Sequence, residues 1–370
     1  IKNFCYAMGS IGFLGFCVWS YLASPFSNKG VLINSAICWN CLVLYGTLKS
    51  KTTYSYTQPA GNLFLNFTQR ASETISRTSF NFLIFNNYYK EFFGKELHIS
   101  DNWLTWFIGF VEGDGAIQSY ANNTRFRFVL TQKESNILYQ VQKILGIGVV
   151  KHFPSGKSGN KNDFYRLIVE NPYQILLLAH LFNGNLVISH RIKQLSFWIN
   201  ILNKRFGENT IIFINKAVPI TLQDAWISGF TDAEGCFNVS ITSNARSKLD
   251  SVIKMRYILD QKDEDVLNII KHLFGFGKVK LRAETMGVYR YTATGFKNMN
   301  HIVIYFKKYP LLTKKALSYK NWLLIYNMVI NKKHLTVEGL SQVKILKKEI
   351  NINNSLNIKT GAAHPKKMKI

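Results

Sequence analysis

Two carboxylates, Asp114 and Glu234, occupy the same place in two ten-residue stretches built on one pattern. Trp106-Phe107-Ile108-Gly109-Phe110-Val111-Glu112-Gly113-Asp114-Gly115 returns 120 residues later as Trp226-Ile227-Ser228-Gly229-Phe230-Thr231-Asp232-Ala233-Glu234-Gly235. Two acids held close together at neutral pH repel each other unless a cation sits between them, so a divalent metal is the natural occupant of such a pair. One motif alone is explained as well by an acid ending a surface helix. Its repetition makes the pair a candidate site. Glu112 and Asp232, two residues before the paired acids, are assigned to structure rather than to metal binding.

The segments around these acids repeat as well. Thr131-Gln132-Lys133 returns as Asp260-Gln261-Lys262 and Leu145-Gly146-Ile147-Gly148 as Phe274-Gly275-Phe276-Gly277, both offset by 129 residues. Ser189-His190-Arg191 aligns with Thr313-Lys314-Lys315 and Trp198 with Trp322, offset by 124. Markers recurring in one order identify a duplicated unit. Trp103 to Gly113 and Leu222 to Ala233 are apolar at helical spacing, and each stops at a glycine beside the acid. Gly109 and Gly229 have no side chains, which lets two such helices approach backbone to backbone. Cys236 to Thr242 alternates Phe237, Val239 and Ile241 with Asn238, Ser240 and Thr242, the period of a half-buried strand. Arg125 to Phe128, Ile253 to Tyr257, Lys278 to Arg282 and Tyr289 to Thr292 alternate likewise. The expected fold class is therefore α+β, with two pseudo-symmetric halves.

The chain has 370 residues and 46 Lys+Arg against 21 Asp+Glu, a net charge of +25. That balance suits a polyanion, nucleic acid first, against the alternative of a merely well-solvated basic surface. Strand alternation places Arg125, Arg127, Asn238, Ser240, Lys254, Arg256, Lys278, Lys280, Arg282 and Arg290 on a candidate DNA-reading face, because short polar groups and cations on a twisted sheet suit the major groove. Lys278 to Arg282 is expected to put three cations on one strand face and two aliphatics on the other. Cys38 and Cys41 form a CxxC without a second ligand pair, which argues for packing rather than zinc. The 8 histidines are scattered, and no glycine-rich phosphate loop follows a strand.

From about Trp103 to Asn351 the chain resembles the LAGLIDADG homing endonucleases, the two acid-ended helices being the signature. The resemblance implies αββαββα-like half-domains with saddle-shaped antiparallel sheets, and a monomer that cuts both strands of a long asymmetric DNA site. It implies Mg²⁺, or another divalent cation such as Mn²⁺, held by Asp114 and Glu234 with help from the backbone carbonyls of Gly113 and Ala233. Gln132 and Gln261 match polar positions that order solvent in the family. Lys315 matches a basic residue near the active site; Lys314 adjoins it as a second candidate, and Arg191 is its counterpart in the first half. Because the first half carries His190-Arg191 where the second carries Lys314-Lys315, equality of the half-sites is in doubt. An intron RNA maturase using the same basic surface is the alternative function.

Residues 6–24 are almost uncharged and about as long as a membrane span, which needs roughly 20 apolar residues. Ala7-Met8-Gly9-Ser10-Ile11-Gly12-Phe13-Leu14-Gly15-Phe16 and Val18-Trp19-Ser20 resemble an exon stretch of the largest cytochrome c oxidase subunit, which implies an intron-encoded mitochondrial protein translated in frame with that exon. Membrane association is expected through this segment only. The resulting division is 1–50 exon-like, 51–97 connector, 98–202 first half, 203–221 linker, 222–351 second half and 352–370 a basic, mobile tail. Lys332 to Leu340 resembles a segment near the end of fungal mitochondrial family members, and a final helix is expected from about Thr336.

Overall fold

The computed structural model describes residues 79–358 apart from 121–124, 157–162 and 284, with side chains through residue 350. The exon-like segment, its membrane-span expectation and most of the connector lie outside the described residues. Among the described residues, no helix is long and apolar enough to cross a membrane.

The first half runs α2 (Asp101–Asp114), β1 (Gly115–Tyr120), β2 (Arg125–Gln132), α3 (Ser135–Leu145), β3 (Val149–Phe153), β4 (Phe164–Val169), α4 (Pro172–Phe182) and α5 (Ser189–Phe206). It is preceded by α1 (Leu83–Phe93). The second half repeats the order as α6 (Trp226–Glu234), β5 (Gly235–Ser243), β6 (Ser251–Gln261), α7 (Glu264–Phe274), β7 (Lys278–Leu281), β8 (Tyr289–Ala293), α8 (Phe296–Lys308) and α9 (Lys315–Ile330), followed by α10 (Val337–Ile358). Each half is thus an αββαββα unit with one further helix. Both sheets are antiparallel, with strand orders β1-β2-β4-β3 and β5-β6-β8-β7. Helices cover one face of each sheet and bury its alternate residues, such as Phe126, Phe128 and Leu130 in β2 and Ile253, Met255 and Tyr257 in β6. Trp198 on α5 and Trp322 on α9 sit at matching places in the two cores.

Local chemistry fixes the helix ends. Ser100 caps α2 through its Oγ, which accepts from the Trp103 amide at 3.3 Å, and Asp101 adds a negative charge in the first turn. Gly146 and Gly275 end α3 and α7 in the left-handed conformation, at φ 67° and 79°, where glycine meets no Cβ penalty. The glycine-containing markers that repeat in the sequence are these caps.

Several boundaries differ from expectation for identifiable reasons. Helix α6 starts at Trp226 rather than Leu222, because the buried Asp224 carboxylate accepts from the Thr221 amide and hydroxyl (2.6 and 2.8 Å) and from the Trp226 amide (3.1 Å), which locks residues 221–225 in a turn. The stretch read as a connector contains α1, whose Phe85 and Tyr89 are buried. Asn81 and Asn185 tie its start to the first half by reciprocal bonds, the Asn81 amide to Asn185 Oδ1 and Asn185 Nδ2 to the Asn81 carbonyl, both 2.8 Å. Within 203–221, Asn203 and Asn183 bracket residues 211–214 with four side-chain-to-backbone bonds. Strand β7 ends at Leu281, so Arg282 lies in the following turn, and Leu281 is exposed rather than packed. The last helix begins at Val337, with Thr336 Oγ1 accepting from the Gly339 amide at 3.0 Å, and continues to Ile358.

Candidate active site

The two repeated motifs fold into α2 and α6, and these helices meet along their glycines. A Cβ on Gly109 would fall onto the Trp226 carbonyl and 2.9 Å from the Phe230 nitrogen; one on Gly229 would fall onto the Trp106 carbonyl and 2.8 Å from the Phe110 nitrogen. The contact is therefore backbone on backbone. Gly113 lies against Ala233 and Glu234, where a Cβ would come within 3.2 Å of Glu234 Cγ. Across the same contact Trp106 Nε1 donates to Asp232 Oδ2 (2.9 Å) and Trp226 Nε1 to Glu112 Oε2 (2.7 Å). Glu112 accepts further from the Val187 and Ile188 amides (2.9 and 2.7 Å). Asp232 accepts from the Leu312 amide (2.7 Å) and from the amide and hydroxyl of Thr313 (3.3 and 2.5 Å). These two buried acids are consumed by structure, as their position in the motif suggests.

One residue beyond the close contact, each helix presents its terminal acid. Asp114 and Glu234 are both half-buried, and the burial pattern around them is the same in the two halves. Burial pushes the Asp114 carboxyl up, against the opposing pull of Lys315, a hydrogen bond from Gln132 and the charge of Arg191. Burial also pushes Glu234 up, and the negative charge of Asp114 pushes it further. Glu234 therefore lies within electrostatic reach of Asp114. Gln132 Nε2 donates to Asp114 Oδ2 at 2.6 Å. Its counterpart Gln261 instead turns its Oε1 to the Lys262 amide at 2.7 Å.

The matching cations reach the helix ends from α5 and α9. Arg191 donates to the Glu112 carbonyl through Nε and Nη2 (3.2 and 3.1 Å) and to the Gly113 carbonyl at 3.4 Å. Lys315 Nζ donates to the Ala233 carbonyl at 2.5 Å and to the Thr231 carbonyl at 3.2 Å. A cation at a helix C-terminus complements the helix dipole. The Gly113 and Ala233 carbonyls, expected as metal ligands, thus already accept from Arg191 and Lys315. Lys314 lies elsewhere, 3.6 Å from Glu134 of the first half, and His190 is exposed. Of these basic residues, Arg191 and Lys315 are the two that bond to the ends of α2 and α6.

The family model described as LAGLIDADG endonuclease matches residues 107–202 and 227–326, one match on each half. The chain belongs to this family. A Neurospora crassa protein named probable intron-encoded endonuclease 4 is 38% identical over 260 residues, 70% of this chain and 46% of that protein, so the chain spans about half the length of that relative. A Schizosaccharomyces pombe protein named for the second intron of cox1 is 27% identical over 242 residues, 64% of this chain and 69% of that protein. Among solved structures, the meganuclease I-SmaMI bound to uncleavable DNA superposes with a TM-score of 0.55 at 18% identity, covering 68% of this chain and all of that one, which shows a shared fold.

On this LAGLIDADG framework the strand register gathers the expected DNA-reading residues. Asn238 pairs with Arg256 and Ser240 with Lys254, Asp260 with Arg290, and Lys278 and Lys280 stand opposite Thr292 and Arg290. All lie on the face of the second sheet that turns away from its helices. In the first half Arg127 pairs with Gln118, and Arg125 with Tyr120. Arg127 Nε donates to Gln118 Oε1 at 2.7 Å, and Arg256 Nη1 to Asn238 Oδ1 at 3.3 Å, the same contact in both halves. Two expected readers, Arg282 and Arg290, are instead bound to a carboxylate. Asp260 accepts from Arg290 Nε and Nη2, both at 2.6 Å, and from Arg282 Nη1 at 3.0 Å. Ser240 Oγ is buried without a hydrogen-bond partner among the described residues.

Four residues of the open sheet faces were missed by sequence reasoning: Gln118, Lys151 and Arg166 in the first sheet and Asp260 in the second. Lys151 and Arg166 pair across β3 and β4, as Lys280 and Arg290 do across β7 and β8. Carrying the repeat offsets of 129 and 124 residues back from Lys280 and Arg290 would have found them.

Proposed function

We propose that the protein is a divalent-metal-dependent DNA endonuclease that recognises a long asymmetric duplex with its two unlike sheets and cuts both strands at the junction of the halves. The observation that carries this reading is the meeting of α2 and α6 through Gly109 and Gly229, with Gly113, the residue before Asp114, against Ala233 and Glu234. The donor set fits a divalent cation. Burial pushes both acids toward protonation, and the charge of Asp114 adds to the push on Glu234; a positive charge between them relieves this. Among the described residues no group of three or more His, Cys, Asp or Glu gathers, so phosphate and water would complete the coordination, the mode that suits Mg²⁺.

A bound divalent ion supplies activation of water and stabilisation of the leaving oxygen. The chain's own residues do the rest. Gln132 fixes the Asp114 side chain through its 2.6 Å bond and thereby its orientation to the phosphate. Lys315 and Arg191 hold positive charge at the ends of both helices, where negative charge grows on the phosphate in the transition state. The basic sheet faces bind the DNA backbone, and their unlike side chains specify bases. The chain carries both halves, so one copy completes the site. The oxidase-exon resemblance and the relative named for a cox1 intron support action in the mitochondrion, at the intron-free form of that gene.

The test incubates the purified full-length chain and Mg²⁺ with a plasmid carrying the fused flanking exons. Linear product from wild type, and none from the Asp114→Ala/Glu234→Ala variant, supports the reading; binding without cutting by wild type overturns it. A double variant that loses cutting but still assists splicing would reveal maturase activity beside the nuclease.

A further inference from the structure

We propose that Asp260 is a positioning residue that makes the two halves cut unequally: by holding Arg290 and Arg282, it slows cleavage of the strand served by the Glu234 side. The inference rests on the endonuclease reading above. Asp260 stands on the open face of β6, directly opposite Arg290 on β8. It takes a two-point fork from Arg290 at 2.6 Å on each oxygen and a third bond from Arg282 at 3.0 Å. The residue before it, Leu259, pairs with Gly235, which directly follows Glu234, so the register sets Asp260 at the Glu234 end of the sheet. A lone carboxylate thus stands toward the Glu234 end of a sheet face otherwise lined with cations and neutral groups.

The first half is built differently at the matching positions. Thr131 stands opposite Arg166 where the second half has Asp260 opposite Arg290. The Arg166 guanidinium lies 4.9 Å from the rings of both Phe153 and Phe164, and threonine offers it no countercharge. Gln132 holds Asp114, whereas Gln261 is turned away to its neighbour's amide. The phosphate gains negative charge in the transition state, so a nearby carboxylate opposes it, and arginines committed to that carboxylate stabilise it less. The Asp114 side therefore has the better-oriented acid and the more favourable field. If Asp260 were only a clasp between strands, removing it would lower stability and leave the relative strand rates alone.

The experiment uses the full chain and a duplex recovered from a randomised pool by binding in Ca²⁺, end-labelled on one strand at a time and cut with Mg²⁺ under single-turnover conditions. Wild type is expected to cut one strand faster. Asp260→Thr should accelerate the slower strand about tenfold, the effect of ~1.4 kcal/mol on a barrier, and Asp260→Glu should keep the bias. Thr131→Asp should slow the faster strand. Affinity for the duplex in Ca²⁺ reports whether each variant is folded. Equal strand rates in wild type, or an unchanged bias in both Asp260→Thr and Thr131→Asp, overturns the inference while leaving the endonuclease intact. A wild type that binds the duplex and cuts neither strand overturns the endonuclease reading and this inference with it.

Discussion

The indole of Trp106 reaches out of the first half to hydrogen-bond Asp232 of the second at 2.9 Å, and Trp226 returns the bond to Glu112 at 2.7 Å. Each tryptophan opens its motif and each acid stands six residues further on in the other. The contact that joins the halves is thus written twice. Replacing Trp106 by Phe keeps most of the apolar surface but leaves Asp232 without one donor. A loss of about 1–3 kcal/mol is expected, read by urea unfolding. No change in the midpoint would show that the bond contributes nothing.

The glycine contact is less forgiving. A Cβ on Gly229 meets the backbone of Trp106 and Phe110 rather than a movable side chain, so Gly229→Ala must separate the helices. Overpacking of this kind costs about 1–3 kcal/mol or more, and it also moves Glu234 away from Asp114. The cutting rate should fall by more than the stability loss explains, measured at a temperature where the variant is still folded. Gly156→Ala is the comparison, because a Cβ there meets nothing among the described residues; it tests the strain of a positive φ alone.

Stability should fall as pH rises in the absence of metal. Burial pushes Glu112 up to about 7 from an ordinary value of 4.5, and Asp114 and Glu234 move in the same direction. Between the unfolded and folded values the native state binds more protons than the unfolded chain. Stability is therefore highest at the acidic end of that window and declines through it. With chelator present, Tm should be higher near about pH 5.5 than near about pH 8. Mg²⁺ should raise Tm more at the higher pH, because it binds the deprotonated pair. A Tm that rises with pH in chelator would contradict the assigned burial of these acids.

Lys315 and Lys314 are neighbours with different fates. Lys315 is buried and bonded to the end of α6, while Lys314 is half-exposed and pairs with Glu134. Lys315→Met should slow cutting by about 10²-fold or more, as loss of a charge-stabilising donor does. Lys314→Met should stay within a few-fold. Equal losses in the two variants would remove the distinction.

Much of this was legible in the sequence. The paired acids, the glycines between the helices, the capping glycines and the alternating strands all obey local rules that one chain displays, and the duplication multiplied each signal. What the sequence concealed depends on partners far along the chain. The turn at Asp224 needs Thr221 beside it to outcompete helix formation. The stretch around Leu83 reads as connector until Phe85 and Tyr89 find a core. Arg290 looks like any other strand cation until the register sets Asp260 opposite it. Lys315 and Lys314 could be told apart only once α9 was fixed in rotation against α6.

The proposed chemistry requires Asp114 and Glu234 to share a bound cation. Crystals of the full chain with an uncleavable duplex and Mn²⁺, recorded at the manganese edge, would locate the metal directly. Anomalous peaks about 2.2 Å from carboxylate oxygens of both Asp114 and Glu234, as expected for a hard divalent ion, are the predicted result. Peaks bound elsewhere, with the two carboxylates left facing only Lys315, Arg191 and Gln132, would contradict it.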